Sequence, residues 1–324
     1  MTKALIQPLL LPYSMIVGQD DLKTALEVAF VNPMVGGVLA TGQRGTAKST
    51  TVRSFAMMAA GELPVTLPIG ATDDRVLGGW NVDKLMQGES TWQPGLLVEA
   101  STSDGRTLYV DEINLLDDYL VNIILDVAST GILNLQRENH SEENQIRFTL
   151  VGTMNPDEGG LRPQLLDRFG LVVPISALED LDERGRIVEA VLCLEEQAES
   201  PGTESAAHVR VRKACALDST RRDQLTAARD TLPAVVPGKA ALVACVKLAS
   251  EFEVAGHRGE IVLIQAARAL AALEGQLQVG AEHIRKISKL ALVHRRPGGE
   301  SGTLPEWTDE HDALVNRIVD ACDW

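Results

Sequence analysis

Ten consecutive residues, Thr41-Gly42-Gln43-Arg44-Gly45-Thr46-Ala47-Lys48-Ser49-Thr50, have the composition and spacing to bind a polyphosphate. Small residues let successive backbone N–H groups close around phosphate oxygens, and a helix opening at the lysine turns the positive end of its dipole toward the same anion. Lys48 is placed to reach the β and γ phosphates and Ser49 to offer its hydroxyl to Mg²⁺, with Thr50 beside it as a residue of the same type. A carboxylate pair further along supplies the rest of a hydrolytic site. The apolar run Thr107-Leu108-Tyr109-Val110 ends in Asp111, suited to hold the water shell of Mg²⁺, and Glu112, suited to activate an attacking water. A second buried-type run, Phe148 to Met154, ends in Asn155, which is placed to orient that water beside the γ-phosphate. The chemistry these residues support is Mg²⁺-dependent hydrolysis of ATP.

Each group needs an element behind it. Gly37-Val38-Leu39-Ala40 predicts a strand before the phosphate loop and Thr51 to Met58 a helix after it. Ala47 departs from the glycine pattern. Lying where the chain enters the helix, it is expected to take a helical φ that a small side chain tolerates. Upstream, Asp21 to Phe30 has apolar residues at helical spacing, with Asp20 as the expected N-cap. Between Gly61 and Ala100, the runs Asn81–Met86 and Ser90–Leu97 flank Gln87-Gly88 as a hairpin, with Trp80 and Trp92 packing across it, and Leu96 to Ser101 resumes a helix. Asp117 to Ala128 predicts a helix ending near Gly131, followed by a second hairpin built from 132–137 and 145–148.

Composition narrows the partners. The 324 residues allow two domains, and 45% hydrophobic with 23% charged content is that of a globular protein. A net charge of -15 opposes a general nucleic-acid interface, and the densest basic groupings, Arg210, Arg212 and Lys213, then Arg221 and Arg222, read as solvated faces. The N-terminal apolar stretch, broken by Gln7, Pro8 and Pro12, is not a secretory signal, and no run approaches the length of a membrane span. Cys193, Cys215, Cys245 and Cys322 lack paired spacing, which points to reduced, structural thiols and a cytoplasmic protein, and no histidine pair suggests a bound transition metal.

Six segments together resemble the I subunit of magnesium chelatase, a branch of the AAA+ ATPases whose nearest relatives are the MoxR-type ATPases. They are Ile16 to Asp20, the phosphate loop, Gly70-Ala71-Thr72-Asp73-Asp74-Arg75, Pro94-Gly95-Leu96-Leu97, Tyr109 to Asp117, and Leu161-Arg162-Pro163-Gln164-Leu165-Leu166-Asp167-Arg168-Phe169-Gly170. The resemblance covers residues 12 to about 190 closely. It implies an α/β fold, a P-loop AAA+ parallel sheet flanked by helices and followed by a small all-α lid. It also implies ATP and Mg²⁺ as cofactors, an adenine contact at Val17, and an arginine finger at Arg168 offered to a neighbouring subunit. On the residues alone, Arg168 is an ordinary helix arginine pairing with Asp167 or Asp180. Gly256 to Ile261 and Gln265 to Leu273 resemble the family's lid segment, which makes Arg258 the expected lid arginine that touches phosphate, with Arg268 as the substitute. Implied partners are further copies in a hexameric ring, an AAA+ subunit bearing an integrin-like or von Willebrand A domain, and a porphyrin-binding catalytic subunit that inserts Mg²⁺ into protoporphyrin IX. The rival readings are a MoxR-like remodelling chaperone with a von Willebrand A partner and, on the strength of Ala47, which MCM-type helicases share, a DNA motor.

Glu179 to Glu199 is a charged, helix-forming stretch with Ile187, Val188, Val191 and Leu192 on one side. Ser200 to Ser205 breaks it, so the expected division is an AAA+ nucleotide-binding domain with hairpin insertions over 1–200, then a linker and helical lid over 201–324.

Overall fold

The computed structural model describes residues 9–102, 106–137, 140–199, 205–298 and 304–324. A helix, α1 (Asp20–Val31), leads into β1 (Val38–Gly42), and the lysine of the phosphate loop opens α2 (Lys48–Ala60). After β2 (Val65–Leu67) comes a first insertion made of α3 (Asp73–Leu77), β3 (Gly78–Trp80), α4 (Val82–Met86), β4 (Trp92–Pro94) and α5 (Leu96–Glu99). Next, β5 (Thr107–Val110) and α6 (Asp118–Thr130) precede a second insertion, the hairpin of β6 (Ile132–Arg137) and β7 (His140–Gln145). Then follow β8 (Thr149–Met154), the one-turn α7 (Pro163–Leu166) and β9 (Leu171–Ile175). The rest is helical: α8 (Leu181–Glu199), α9 (Ala206–Thr231), α10 (Gly238–Glu251), α11 (Arg258–Leu273), α12 (Ala281–Leu292) and α13 (Asp309–Asp320).

Five strands form one sheet in the order β2-β5-β8-β1-β9, and every neighbouring pair is parallel. Parallel sheets are covered on both faces, which is why β1, β5 and β8 read as continuous apolar runs and are buried throughout. Alternate residues serve opposite faces. Val38, Ala40, Tyr109 and Val151 join a core with α1, α2 and the C-terminal helices, while Leu39, Leu108, Val110 and Leu150 join a second core with α5 and α6. The β5–β8 register pairs Val110 with Gly152, so the next residues, Asp111 and Thr153, emerge side by side at the carboxyl edge. That edge is where open parallel sheets bind ligands.

Several local expectations are modified. The first hairpin forms and pairs Trp80 with Trp92 edge to face at 5.6 Å, but its strands are short and Val82–Met86 is the helix α4, not a strand. In the second hairpin the returning strand is His140–Gln145 and not residues 145–148. Asp20 lies inside the first turn of α1, whose N-cap is Gln19 at φ 60°. Asp117 does cap α6, accepting from the Tyr119 N–H, and the helix closes on Gly131.

The side of α8 bearing Ile187, Val188, Val191 and Leu192 is largely solvent-facing, and it is Ala190 and Leu194 that are buried. Arg221 and Arg222 are not solvated faces. Arg221 forms an ion pair with the nearly buried Glu27 of α1, and Arg222 donates to the carbonyls of Met57 and Met58 at the end of α2. The expected linker at Ser200 falls on residues 200–204, outside the described ones, and α9 beyond it packs back on α1 and α2. The cysteines are free thiols, Cys245 buried and Cys215 exposed, so a structural role does not describe all four. Among the described residues no helix is long and apolar enough to cross a membrane.

Candidate functional site

A cleft of about 300 Å³ at the carboxyl edge of the sheet is lined by residues 44–50 of the phosphate loop together with Asp111, Glu112, Thr153 and Asn155. β1 delivers the loop and α2 begins at Lys48, so the loop N–H groups and the helix N-terminus share one concave surface. Gly45, at φ +80°, has nothing within 4 Å of where a Cβ would sit, leaving an open cradle. Ala47 is left-handed at φ 60°, ψ 15°, which corrects the expectation of a helical φ. Alanine tolerates that region at a cost of roughly 1 kcal/mol, so the loop keeps its shape with some strain.

The cations of the loop already have partners. Lys48 Nζ donates to Gly42 O at 2.5 Å and Gln43 O at 2.7 Å. Burial lowers its pKa, and Asp111, Glu112 and Glu158 oppose that shift. Arg44 forms ion pairs with Glu112, at 3.3 Å, and with Glu158. An entering triphosphate offers both cations stronger, charged acceptors.

Ser49 and Asp111 meet through Tyr109. The phenol donates to Asp111 Oδ1 at 2.7 Å and lies 2.8 Å from Ser49 Oγ, while Thr153 Oγ1 donates to the same carboxylate oxygen at 2.7 Å. Burial, reinforced by Asp111, pushes the Tyr109 hydroxyl up to about 12, so it stays a neutral donor. Glu112 sits at φ 52°, a left-handed conformation for a non-glycine residue, and its N–H donates to Thr153 Oγ1 at 3.2 Å. Asn155 is buried at the edge of the cleft, its Oδ1 accepting from Asp157 N at 3.2 Å. Thr50 is exposed on α2 and outside this network, which separates it from Ser49.

A hydroxyl, a carboxylate and an adjacent water-accessible cleft form an oxygen-only donor set, the kind Mg²⁺ takes. Among the described residues no group of three His, Cys, Asp or Glu side chains forms a metal site of its own. A cation held by Ser49 and Asp111 would need further ligands from outside these side chains.

The other expected site residues lie apart. Val17 lines a separate cavity of about 420 Å³ between its own loop and α8 and α9, beside the phosphate loop, to which Gln19 Nε2 donates at Thr46 O, 3.1 Å. Arg168 borders a groove along α6 and β6, not its own phosphate cleft. It does not pair with Asp167, which is taken by Arg295 at 3.1 Å; its Nη1 reaches Asn122 O at 3.5 Å. Arg258 also lies outside the cleft, donating to Arg168 O at 3.1 Å, so its expected phosphate contact is not made within this subunit. Arg268 does not line the cleft either, and donates to Val235 O, Leu232 O and Gln265 Oε1.

Tyr109 and Thr153 were not singled out from sequence. Tyr109 carried a signal, standing two residues before Asp111 and hence on the same face of the strand. Thr153 carried none without the β5–β8 register.

Comparison with known proteins gives a consistent family. A model described as the AAA domain (dynein-related subfamily) matches residues 37–169, and one described as the AAA lid domain matches 243–318. The magnesium-chelatase 38 kDa subunit of Chlorobaculum tepidum is 38% identical over 325 residues, covering 88% of this chain and 80% of that one. An uncharacterized protein of Mycobacterium tuberculosis is 40% identical over 315 residues, covering 94% of this chain, which spans about half (48%) of that relative. A crystal structure of a protein assigned as an ATPase from Cytophaga hutchinsonii shares the fold, with a TM-score of 0.61 at 15% identity over 95% of this chain and 90% of that one.

Proposed function

Since the chain belongs to the magnesium-chelatase I-subunit family of AAA+ ATPases, we propose that it is the ATP-hydrolysing motor subunit of a magnesium chelatase, driving Mg²⁺ insertion into protoporphyrin IX. The observation that carries the ATPase half is the linked network of Ser49, Tyr109, Asp111 and Thr153 facing Lys48 across one cleft. The chelatase half rests on family membership.

In this reading the loop N–H groups from Gly42 to Thr50 and Lys48 hold the phosphates, and Val17 borders the adenine. Ser49 and Asp111 would hold Mg²⁺, which when bound would supply charge neutralisation at the phosphoryl oxygens. Glu112 takes a proton from the attacking water, and Asn155 orients that water beside the γ-phosphate. Release of Glu112 follows when phosphate draws Arg44 away from it. Arg168 and the adjoining Arg258, both outside their own cleft, serve a nucleotide held by the next subunit, which makes the active form a ring of copies, hexameric by family analogy. An AAA+ subunit with a von Willebrand A domain and a porphyrin-binding subunit complete the machine in the cytoplasm.

Reconstitution tests it. The protein is combined with the two other chelatase subunits, protoporphyrin IX, Mg²⁺ and ATP, and metallated porphyrin is followed by fluorescence. ATP-dependent product, absent with Lys48→Ala, is expected. Vigorous ATP hydrolysis without metallation, in a mixture active with an authentic I subunit, overturns the chelatase assignment in favour of a remodelling motor.

A further inference from the structure

The turn that carries Arg168 is built into the lid. Arg295, just beyond α12, has a side chain only 1% exposed and turns all five of its N–H donors inward. Nε donates to Asp167 Oδ1 at 3.1 Å, Nη1 to Gly170 O at 3.0 Å and Ala291 O at 2.5 Å, and Nη2 to Asp167 O at 2.8 Å and Phe169 O at 2.6 Å. His294 Nε2 donates to Phe169 O at 3.1 Å, and Arg258, from the first turn of α11, to Arg168 O at 3.1 Å. Four consecutive carbonyls, Asp167 to Gly170, thus accept from lid side chains. The turn also meets the loop before β1: Gly170 N donates to Gly36 O at 3.4 Å, and a Cβ on Gly170 would stand 2.1 Å from Val35 O.

The backbone is held by both the lid and this loop, while the Arg168 side chain leaves the turn along the groove of α6 and β6. Burying a guanidinium is costly, and burial pulls Arg295 down to about 10 against the opposing charge of Asp167. Apolar packing closes a core at less cost. What arginine adds is a rigid planar fork able to fix several acceptors in one geometry.

We propose that Arg295 is a positioning residue for ATP hydrolysis in the neighbouring subunit: its grip on the 167–170 carbonyls sets the direction in which Arg168 leaves the protomer, so the lid of one subunit governs the chemistry of the next. The inference rests on the reading of Arg168 as a finger offered in trans. It differs from a purely structural role in its prediction, because a local loss of packing damages the subunit's own site as well.

The test uses the full chain with Arg295→Lys, which keeps a charge for Asp167 but loses the fork, and Asp167→Asn, a half-buried change that weakens the same grip. Arg295→Lys is expected to bind ATP within twofold of the native protein with KM unchanged, and to lose kcat on the order of 10- to 100-fold, as for misplacement of a catalytic group. Asp167→Asn repeats the pattern with a smaller loss, and it carries the test if circular dichroism shows Arg295→Lys unfolded. Each variant is then mixed with Lys48→Ala, co-assembly being checked by native mass spectrometry, with Arg168→Ala treated alongside. Recovery of activity for all three supports the proposal, since intact clefts then face intact finger turns. Recovery for Arg168→Ala without recovery for the folded Arg295 or Asp167 variants, or a native kcat in both of these variants, overturns it while leaving the finger in place. No recovery for co-assembled Arg168→Ala removes the trans finger, and this proposal with it.

Discussion

The phosphate loop and the 167–170 turn, the finger turn of the proposed function, are built in opposite ways. In the loop, Lys48 and Arg44 rest on partners that a phosphate can displace, and two non-glycine residues at the cleft, Ala47 and Glu112, hold left-handed conformations. In the finger turn each carbonyl of 167–170 accepts from a buried or half-buried lid side chain. The loop binds by its own backbone, so its geometry is local to some ten residues and its cations need only be within reach. In the proposed reading Arg168 acts at a site it does not belong to, and its turn is held by lid side chains 90 or more residues away. A ready receptor is made by local sequence; an aimed donor is made by tertiary packing.

Breaking the loop side gives the largest effect. Lys48→Ala is expected to abolish measurable hydrolysis and to weaken ATP binding on the order of 100-fold, the equivalent of a charge-assisted contact worth about 3 kcal/mol. Calorimetric titration reads it, and unchanged affinity sinks the loop assignment. Next in size, Glu112→Gln keeps nucleotide binding but slows hydrolysis by roughly 10²-fold or more, since the water loses its base while Asp111 stays. Normal turnover in that variant reduces Glu112 to a partner of Arg44.

Tyr109→Phe removes the phenol between Asp111 and Ser49 and leaves the rest of the cleft, and one lost hydrogen bond of about 1 kcal/mol raises the Mg²⁺ concentration for half-maximal activity by roughly 5-fold. ATP affinity without Mg²⁺ stays the same; a Mg²⁺ titration superimposable on the native one rejects the network. On the finger side, burial holds the His294 pKa well below its ordinary value, reinforced by the charges of Arg295 and Arg258 and opposed by the Phe169 carbonyl. Below about pH 6.5 the unfolded chain therefore takes up a proton that the folded chain refuses. The stability His294 contributes is complete above that pH and is lost as pH falls, by up to roughly 1.4 kcal/mol per unit. Denaturant melts at pH 7.5, 6.5 and 5.5 should show the decline and its reduction in His294→Gln; equal slopes in the two proteins place the acid sensitivity elsewhere.

Much of the motor was legible in the chain because its parts are short and continuous. The strand, loop and helix around Lys48, the Asp111-Glu112 pair at a strand end, and the capped α6 all follow from periodicity and turn chemistry over a few residues. Misreadings arose where neighbours in space overruled local preference. Ala47 takes a positive φ at the point where the loop turns into α2. Arg221 and Arg222 look like a solvated pair until α9 lies against Glu27 and the end of α2.

Which chemistry the chain can do is legible in the order of its residues, because phosphate loops and carboxylate-tipped strands are written in adjacent positions. Only the tertiary structure decided how those groups are held. The parallel register brings Thr153 beside Asp111, and the return of α11 and α12 carries Arg258, His294 and Arg295 to the carbonyls behind Arg168. The physical reason is separation along the chain: a hydrogen bond between residues 126 or 128 positions apart leaves no periodic trace in either segment, and it exists only once the cores on both faces of the sheet have closed.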